Sequence, residues 1–185
     1  MTPDSEPGRG SVMPGGEMET GSLSPDAFDG LVLDVERAVE WRERLRADGL
    51  RVVSTNGVFD LLHAGHVAYL GWARAQGDAL IVLVNEDDSV RLLGKGPGRP
   101  LVPFADRARV VAALRSVDAV VGFAQRTPET LLDRIRPDTH VKSDQYRVEE
   151  LPERFVVERH GGRVVLAPHQ PGRSTTDLVA AIRTR

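Results

Sequence analysis

Apolar and polar positions fall into three regimes along this chain. Residues 1–30 carry Pro, Gly, Ser, Glu and Asp with hardly any periodic apolar pattern, which predicts a disordered tail that the core does not need. From Leu31 to Asp48 the apolar residues Leu31, Val35, Ala38, Val39 and Leu45 recur at helical spacing, so residues 31–50 read as a lead-in helix with Gly49 as its terminator. After it the period alternates. A strand Arg51–Thr55 precedes a helix Gly65–Gln76 closed by Gly77, and the nearly continuous apolar run Ala79–Asn85 reads as a strand covered on both faces. A long loop Glu86–Pro103 leads to a helix Phe104–Arg115, a strand Ala119–Phe123, and a helix begun by Thr127 as cap and Pro128, ending before Pro137. A strand Thr139–Lys142, a helix Leu151–His160, a strand Arg163–Ala167 and a final helix from Ser174 complete the pattern.

Strands alternating with helices predict an α/β domain over residues 51–185, built on a parallel sheet with right-handed crossovers. Ligands of such sheets collect beyond the carboxyl ends of the strands, near the switch in strand order. Thr55, Asn85, Phe123, Lys142 and Ala167 are the predicted strand ends, so the loops after them should face one crevice.

Composition narrows the choice of chemistry. The 185 residues allow one domain with a substantial core plus a tail. A net charge of −3 with 28% charged residues gives no sign of a nucleic-acid binder or a basic membrane-surface protein. With no cysteine there is no disulfide, thiolate nucleophile or zinc–thiolate site. No apolar run approaches the roughly 20 residues that span a bilayer, and the N-terminus lacks the basic start and apolar centre of a signal peptide. A cytoplasmic location is the expectation. Of the 24 basic residues only Lys95 and Lys142 are lysines, and both fall in loops at the predicted crevice. Lysines that persist in an arginine-biased chain are candidates for chemistry; chance is the alternative.

The stretch Val52–Leu70 carries the densest signal, because its strand hands over to a helix where His63 and His66 sit. Free N–H groups and the positive dipole end of a helix favour an anion there, and Gly57 and Gly65 let the backbone approach one. The other histidines, His140, His160 and His169, form no second cluster, so no metal site is read. Both imidazoles are instead candidate donors to a phosphate chain and to the charge that builds on it in a transition state. Asp60 is close enough in sequence to orient a histidine or meet a metal, with helix capping as the alternative. Near the C-terminus Ser174-Thr175-Thr176-Asp177 reads as a capping box behind Gly172 and Arg173, a helix start able to hold an anion.

Thr55-Asn56-Gly57-Val58-Phe59-Asp60-Leu61-Leu62-His63-Ala64-Gly65-His66 resembles the signature of the cytidylyltransferase-like nucleotidyltransferases, whose hallmark is His-x-Gly-His. The resemblance covers about Arg51 to Arg183. The segments Val84–Val90, Gly94-Lys95-Gly96-Pro97-Gly98-Arg99-Pro100, Asp106-Arg107 and Val117-Asp118 are similar in order and spacing to bacterial adenylyltransferases acting on D-glycero-D-manno-heptose 1-phosphate. The resemblance implies a Rossmann-like three-layer domain that moves a nucleotidyl group from a nucleoside triphosphate to a phosphosugar, with Mg²⁺ accompanying ATP as substrate. Both substrates would be partners of the protein, and a homodimer is compatible with the family. It also implies that His63 and His66 touch the triphosphate, with Lys95 and Lys142 neutralising phosphate charge. Thr55, Asn56, Gly57, Phe59, Asp60, Gly65, Asn85, Arg99, Asp144, Arg173, Ser174, Thr175 and Thr176 would bind the nucleotide.

The chain departs from that group after Lys142, where Ser143-Asp144-Gln145-Tyr146 stands in place of the usual Gly-Gly-Asp-Tyr. It departs from glycerol-phosphate cytidylyltransferases too, which usually carry an arginine at His169 and an apolar residue at Arg173. The leading expectation is adenylyl transfer from ATP to a sugar 1-phosphate. The alternatives are a cytidylyltransferase making a CDP-polyol such as CDP-glycerol, and a catalytically silent nucleotide-binding protein.

Overall fold

The structure, a computed structural model, describes residues 31–94, 96, 98–168 and 182. Within them the chain runs β1 (Val32–Leu33), α1 (Val35–Ala47), β2 (Val52–Gly57), α2 (Ala64–Arg74), β3 (Ala79–Asn85), α3 (Asp87–Leu92) and α4 (Phe104–Ala112). It continues through β4 (Ala119–Phe123), α5 (Glu129–Ile135), β5 (Thr139–Ser143), a 3₁₀ turn at Val148–Glu150, α6 (Pro152–Arg159) and β6 (Arg163–Ala167).

All strand pairs are parallel, and the sheet order is β1-β4-β3-β2-β5-β6. From β2 the chain builds outward to β3 and β4 on one side, where the earlier β1 forms the edge, and to β5 and β6 on the other, so the strand order switches between β2 and β5. All seven residues of β3 are buried, as a strand covered on both faces requires. On one face Val53, Leu80, Val82, Val84 and Val120 pack with Leu70 and Ala73 of α2 and Ala108, Val111 and Ala112 of α4. On the other, Val52, Ile81, Leu83 and Val121 pack with Ala38 of α1, Leu131, Leu132 and Ile135 of α5, and Val157 of α6. Helix layer, sheet and helix layer give the three-layer Rossmann-like arrangement. No helix among the described residues is long and apolar enough to cross a membrane.

Three local expectations are corrected. The lead-in is not helical from Leu31: Val32 and Leu33 pair with Val120 and Val121 as an edge strand, and α1 starts only after Asp34, whose carboxylate caps it by accepting from Arg37 N at 2.8 Å. A two-residue strand is too short to show a period of two, and Leu31 fits a helical face by coincidence. The stretch 86–103 is not all loop, since Asp87–Leu92 forms α3 behind two acidic first-turn residues that suit its dipole. Thr127 does not cap α5; Pro128 occupies the cap position and no side chain bonds to the first turn. The expected helix from Ser174 lies outside the described residues.

Two features hold the layers in place. Arg42 of α1 is buried and donates Nη2–H to Asp138 at 2.9 Å and Nε–H to the Arg136 carbonyl at 3.2 Å, while the same Asp138 oxygen accepts from Val52 N at 2.7 Å. One carboxylate therefore fixes α1 to the amino ends of β2 and β5. Gly122 in β4 lets Phe104 of α4 close over the sheet, because a Cβ there would come within 2.6 Å of the Phe104 ring.

Candidate active site

At the switch in strand order, β2 ends at Gly57 and α2 begins at Ala64. Between them Phe59 adopts φ +50°, a left-handed conformation of a bulky residue that costs of order 1–3 kcal/mol and marks a constrained junction. A Cβ at Gly57 would lie 2.9 Å from the Phe59 ring, so this glycine makes room for that ring. His63 is the N-cap of α2, and its Nδ1 accepts from Gly65 N at 3.1 Å. Nδ1 thus holds a lone pair, and in the neutral ring the proton sits on Nε2 as a donor. His66, one turn on, stacks on His63 with ring centroids 3.9 Å apart and meets the Phe59 ring edge-on at 5.2 Å. The capping geometry thus gathers two imidazoles at the positive end of the α2 dipole, where Gly65 N and His66 N are already bonded back to His63.

The β5 side of this junction carries Lys142. Its Nζ donates to Glu153 of α6 at 2.8 Å and to Asn56 Oδ1 at 2.9 Å, and it lies 5.1 Å from the centre of the Tyr146 ring. The pair is nearly dry, with side chains 10% and 4% exposed. Behind it Thr55 is buried, and its hydroxyl bonds to the Val141 carbonyl at 2.9 Å and to the Tyr69 hydroxyl at 2.7 Å. Burial pushes the Tyr69 phenol well above its ordinary pKa, more than the Thr55 hydrogen bond lowers it.

The β3–β4 side is braced by two charged residues. Asp60 ion-pairs with Arg99 through one oxygen, and the other accepts from Leu101 N at 2.8 Å and Val102 N at 3.0 Å. Burial pushes the Asp60 carboxyl up, but the Arg99 and backbone hydrogen bonds outweigh it and hold the group below its usual range. Asp60 therefore does not cap α2, whose N-cap is His63; a buried carboxylate needs donors, and it takes them from residues 99–102. Arg107, fully buried, donates to the carbonyls of Val58, Asn85 and Val102 and ion-pairs with Asp87, tying the ends of β2 and β3 to α3 and the loop. Asn85 donates Nδ2–H to the buried Ser89 hydroxyl at 2.8 Å, which donates to the Gln125 carbonyl at 2.5 Å.

These elements enclose a cleft of about 830 Å³ at the carboxyl ends of the strands. It brings together ten of the expected residues: Asn56, Gly57, Phe59, Asp60, His63, Gly65, His66, Asn85, Arg99 and Lys142. Thr55 and Asp144 are not in its lining; Thr55 faces Tyr69 instead, and Asp144 N joins β5 to β6 through the Ala167 carbonyl. Lys95, Arg173, Ser174, Thr175 and Thr176 lie outside the described residues. Sequence reasoning missed Tyr69, Ser89, Arg126, Tyr146 and Glu153 as participants. The spacing of Tyr69 one turn after Gly65 and His66 was the available signal for it; Glu153 had none.

The same chain matches the cytidylyltransferase-like family model over residues 54–180. It is 51% identical over 132 residues to a D-beta-D-heptose 1-phosphate adenylyltransferase of Bordetella bronchiseptica, covering 71% of this chain and 82% of that protein. It is 46% identical over 173 residues to the bifunctional protein HldE of Streptomyces coelicolor, covering 94% of this chain and 35% of that protein. The chain thus spans about a third of the length of its bifunctional relatives. Among solved structures, a lipopolysaccharide core biosynthesis protein from Thermoplasma volcanium superposes with a TM-score of 0.56 at 26% identity, covering 66% of this chain and 98% of that one. With a family model matched over more than half its length and a relative half identical across most of its own, the chain belongs to the cytidylyltransferase-like family.

Proposed function

We propose that the protein is an adenylyltransferase that moves AMP from ATP to D-glycero-D-manno-heptose 1-phosphate, giving an ADP-sugar and pyrophosphate. The observation that carries it is the His63–His66 pair, stacked at a helix start inside a cleft at the strand-order switch. The choice of acceptor and nucleotide leans on the Bordetella relative, which bears that activity in its name and is covered over most of its length.

A sugar phosphate is largely dianionic at neutral pH, its second pKa being roughly 6. Its oxygen attacks the α-phosphorus of ATP in line, the new P–O bond forms, and the bond from the α-phosphorus to its bridging oxygen breaks as pyrophosphate departs. No general base is required. Catalysis is then alignment and charge stabilisation. The Nε2–H of His63 and the neighbouring His66 supply donors to the phosphates at the positive end of the α2 dipole. ATP enters as its Mg²⁺ complex, a substrate; two carboxylates of the cleft, Asp60 and Glu153, are already committed to Arg99 and Lys142. With ATP as the donor, this reading carries a cytoplasmic location with it.

The test is pyrophosphate release from ATP, CTP, GTP and UTP, each with Mg²⁺ and heptose 1-phosphate, hexose 1-phosphates or glycerol phosphate. Release with ATP and the heptose is expected. Release confined to CTP with glycerol phosphate would overturn both the nucleotide and the acceptor, and silence throughout would leave a binding protein.

A further inference from the structure

Charge divides the cleft into two wings around the histidine pair. On the β5 wing the cation Lys142 is cancelled by Glu153, and the half-exposed Tyr146 ring lies alongside. Toward the β3–β4 wing the lining arginine Arg99 is cancelled by Asp60. Arg126, in the turn after β4, also lines the cleft and is exposed, yet forms no ion pair among the described residues. Its position is nevertheless built: the buried Asn85–Ser89 relay holds the carbonyl of Gln125, the residue just before it, and Glu86 N bonds to the Phe123 carbonyl at 2.9 Å. Thr127 lines the cleft beside it.

The two substrates of the proposed reaction differ in charge away from the triphosphate. The base and ribose of ATP are neutral, whereas the acceptor brings a dianionic phosphate. We propose that Arg126, with the Thr127 hydroxyl, binds the acceptor's phosphate on the β3–β4 wing and so determines specificity for a phosphomonoester. This assignment rests on the adenylyl-transfer reading. The β5 wing, with an aromatic face, a paired lysine and the further acid Glu150, offers a dianion no unpaired cation among the described residues and is left for the nucleoside. An arginine suits the role because its planar fork meets two phosphate oxygens at once. The relay from Asn85 gives that residue a supporting part: it fixes the turn that presents the arginine.

Steady-state kinetics of Arg126→Gln and Arg126→Lys, with ATP and heptose 1-phosphate each varied, test the assignment. Arg126→Gln should raise KM for the acceptor by about 10- to 100-fold, the loss of one charge-assisted hydrogen-bonded contact, while KM for ATP stays within about twofold. Arg126→Lys should fall between, keeping the charge and losing the fork. An unchanged acceptor KM, or an effect on ATP instead, overturns the assignment while leaving adenylyl transfer intact. If the wild type turns over no acceptor, the adenylyl-transfer reading has failed. Calorimetric titration of heptose 1-phosphate into wild type and Arg126→Gln, both holding a non-hydrolysable ATP analogue, then decides the arginine. Binding lost only in the variant supports it; equal binding, or none to the wild type, overturns it. A melting temperature matching wild type excludes misfolding as the cause.

Discussion

A lysine and a glutamate that neutralise each other while almost dry make each residue a liability without its partner. Lys142→Met would leave Glu153 buried with no cation, at an expected loss of about 3–5 kcal/mol in urea unfolding. Adding Glu153→Met should restore most of that stability, because two apolar groups of similar volume bury well. Turnover should stay low in the double variant, since Asn56 loses the Nζ–H that holds it. Only half of this pair was legible in the sequence. Lys142 stood out as one of two lysines, whereas Glu153 is an unremarkable first-turn acid of α6, and no spacing shows that this helix folds back over β5. Asp60 repeats the lesson. Its place just before α2 offered helix capping, but its donors come from residues 99–102, about forty positions on, and only the folded loop reveals them.

At the scale of elements, α4 reaches its place over β4 through one missing methyl group. Gly122→Ala would set a Cβ 2.6 Å from the Phe104 ring and 3.0 Å from Glu86, so the helix must shift or the ring turn aside. The expected destabilisation is about 1–3 kcal/mol by thermal or urea unfolding. Phe104→Leu in the same chain should return part of it by clearing the ring. The buried strands β3 and β4 and the helices over them were legible because nearly unbroken apolar runs of seven and five residues, and helical periods over seven residues or more, are strong signals. Elements that escaped were the short ones. β1 offers two residues, and α3 is a six-residue, acid-led helix whose polar face hides its period in a loop-like stretch. α5 follows the Pro128 expected in its first turn, but the cap assigned to Thr127 depended on a side-chain rotamer that no sequence pattern encodes.

For the molecule as a whole, stability should fall on mild acidification. His140 sits fully buried in β5 with Nδ1 2.7 Å from the Ser54 hydroxyl, and burial, aided by the Lys142 charge, lowers its pKa from 6.5 to about 3. The unfolded chain binds a proton at this residue below about pH 6.5 and the folded chain does not, so unfolding gains protons as pH drops and stability is lost. From pH 7 to pH 5 this group alone should remove about 2 kcal/mol, read by urea denaturation at the two values. A His140→Gln variant should show a flatter profile across the same range. The parallel α/β layering was legible from alternation, but the strand order was not, because every strand is apolar enough to serve as a centre. That order has a consequence in time. β2 pairs on one side with β3, which follows it directly, and on the other with β5, whose Val141 comes 86 residues after Thr55. At a synthesis rate of about 5–20 residues per second, roughly 4–17 s pass between the two strands. Through that interval the emerging chain holds its histidine centre and a half-built sheet with one bare edge at β2, which β5 closes when it arrives, bringing the lysine wing with it.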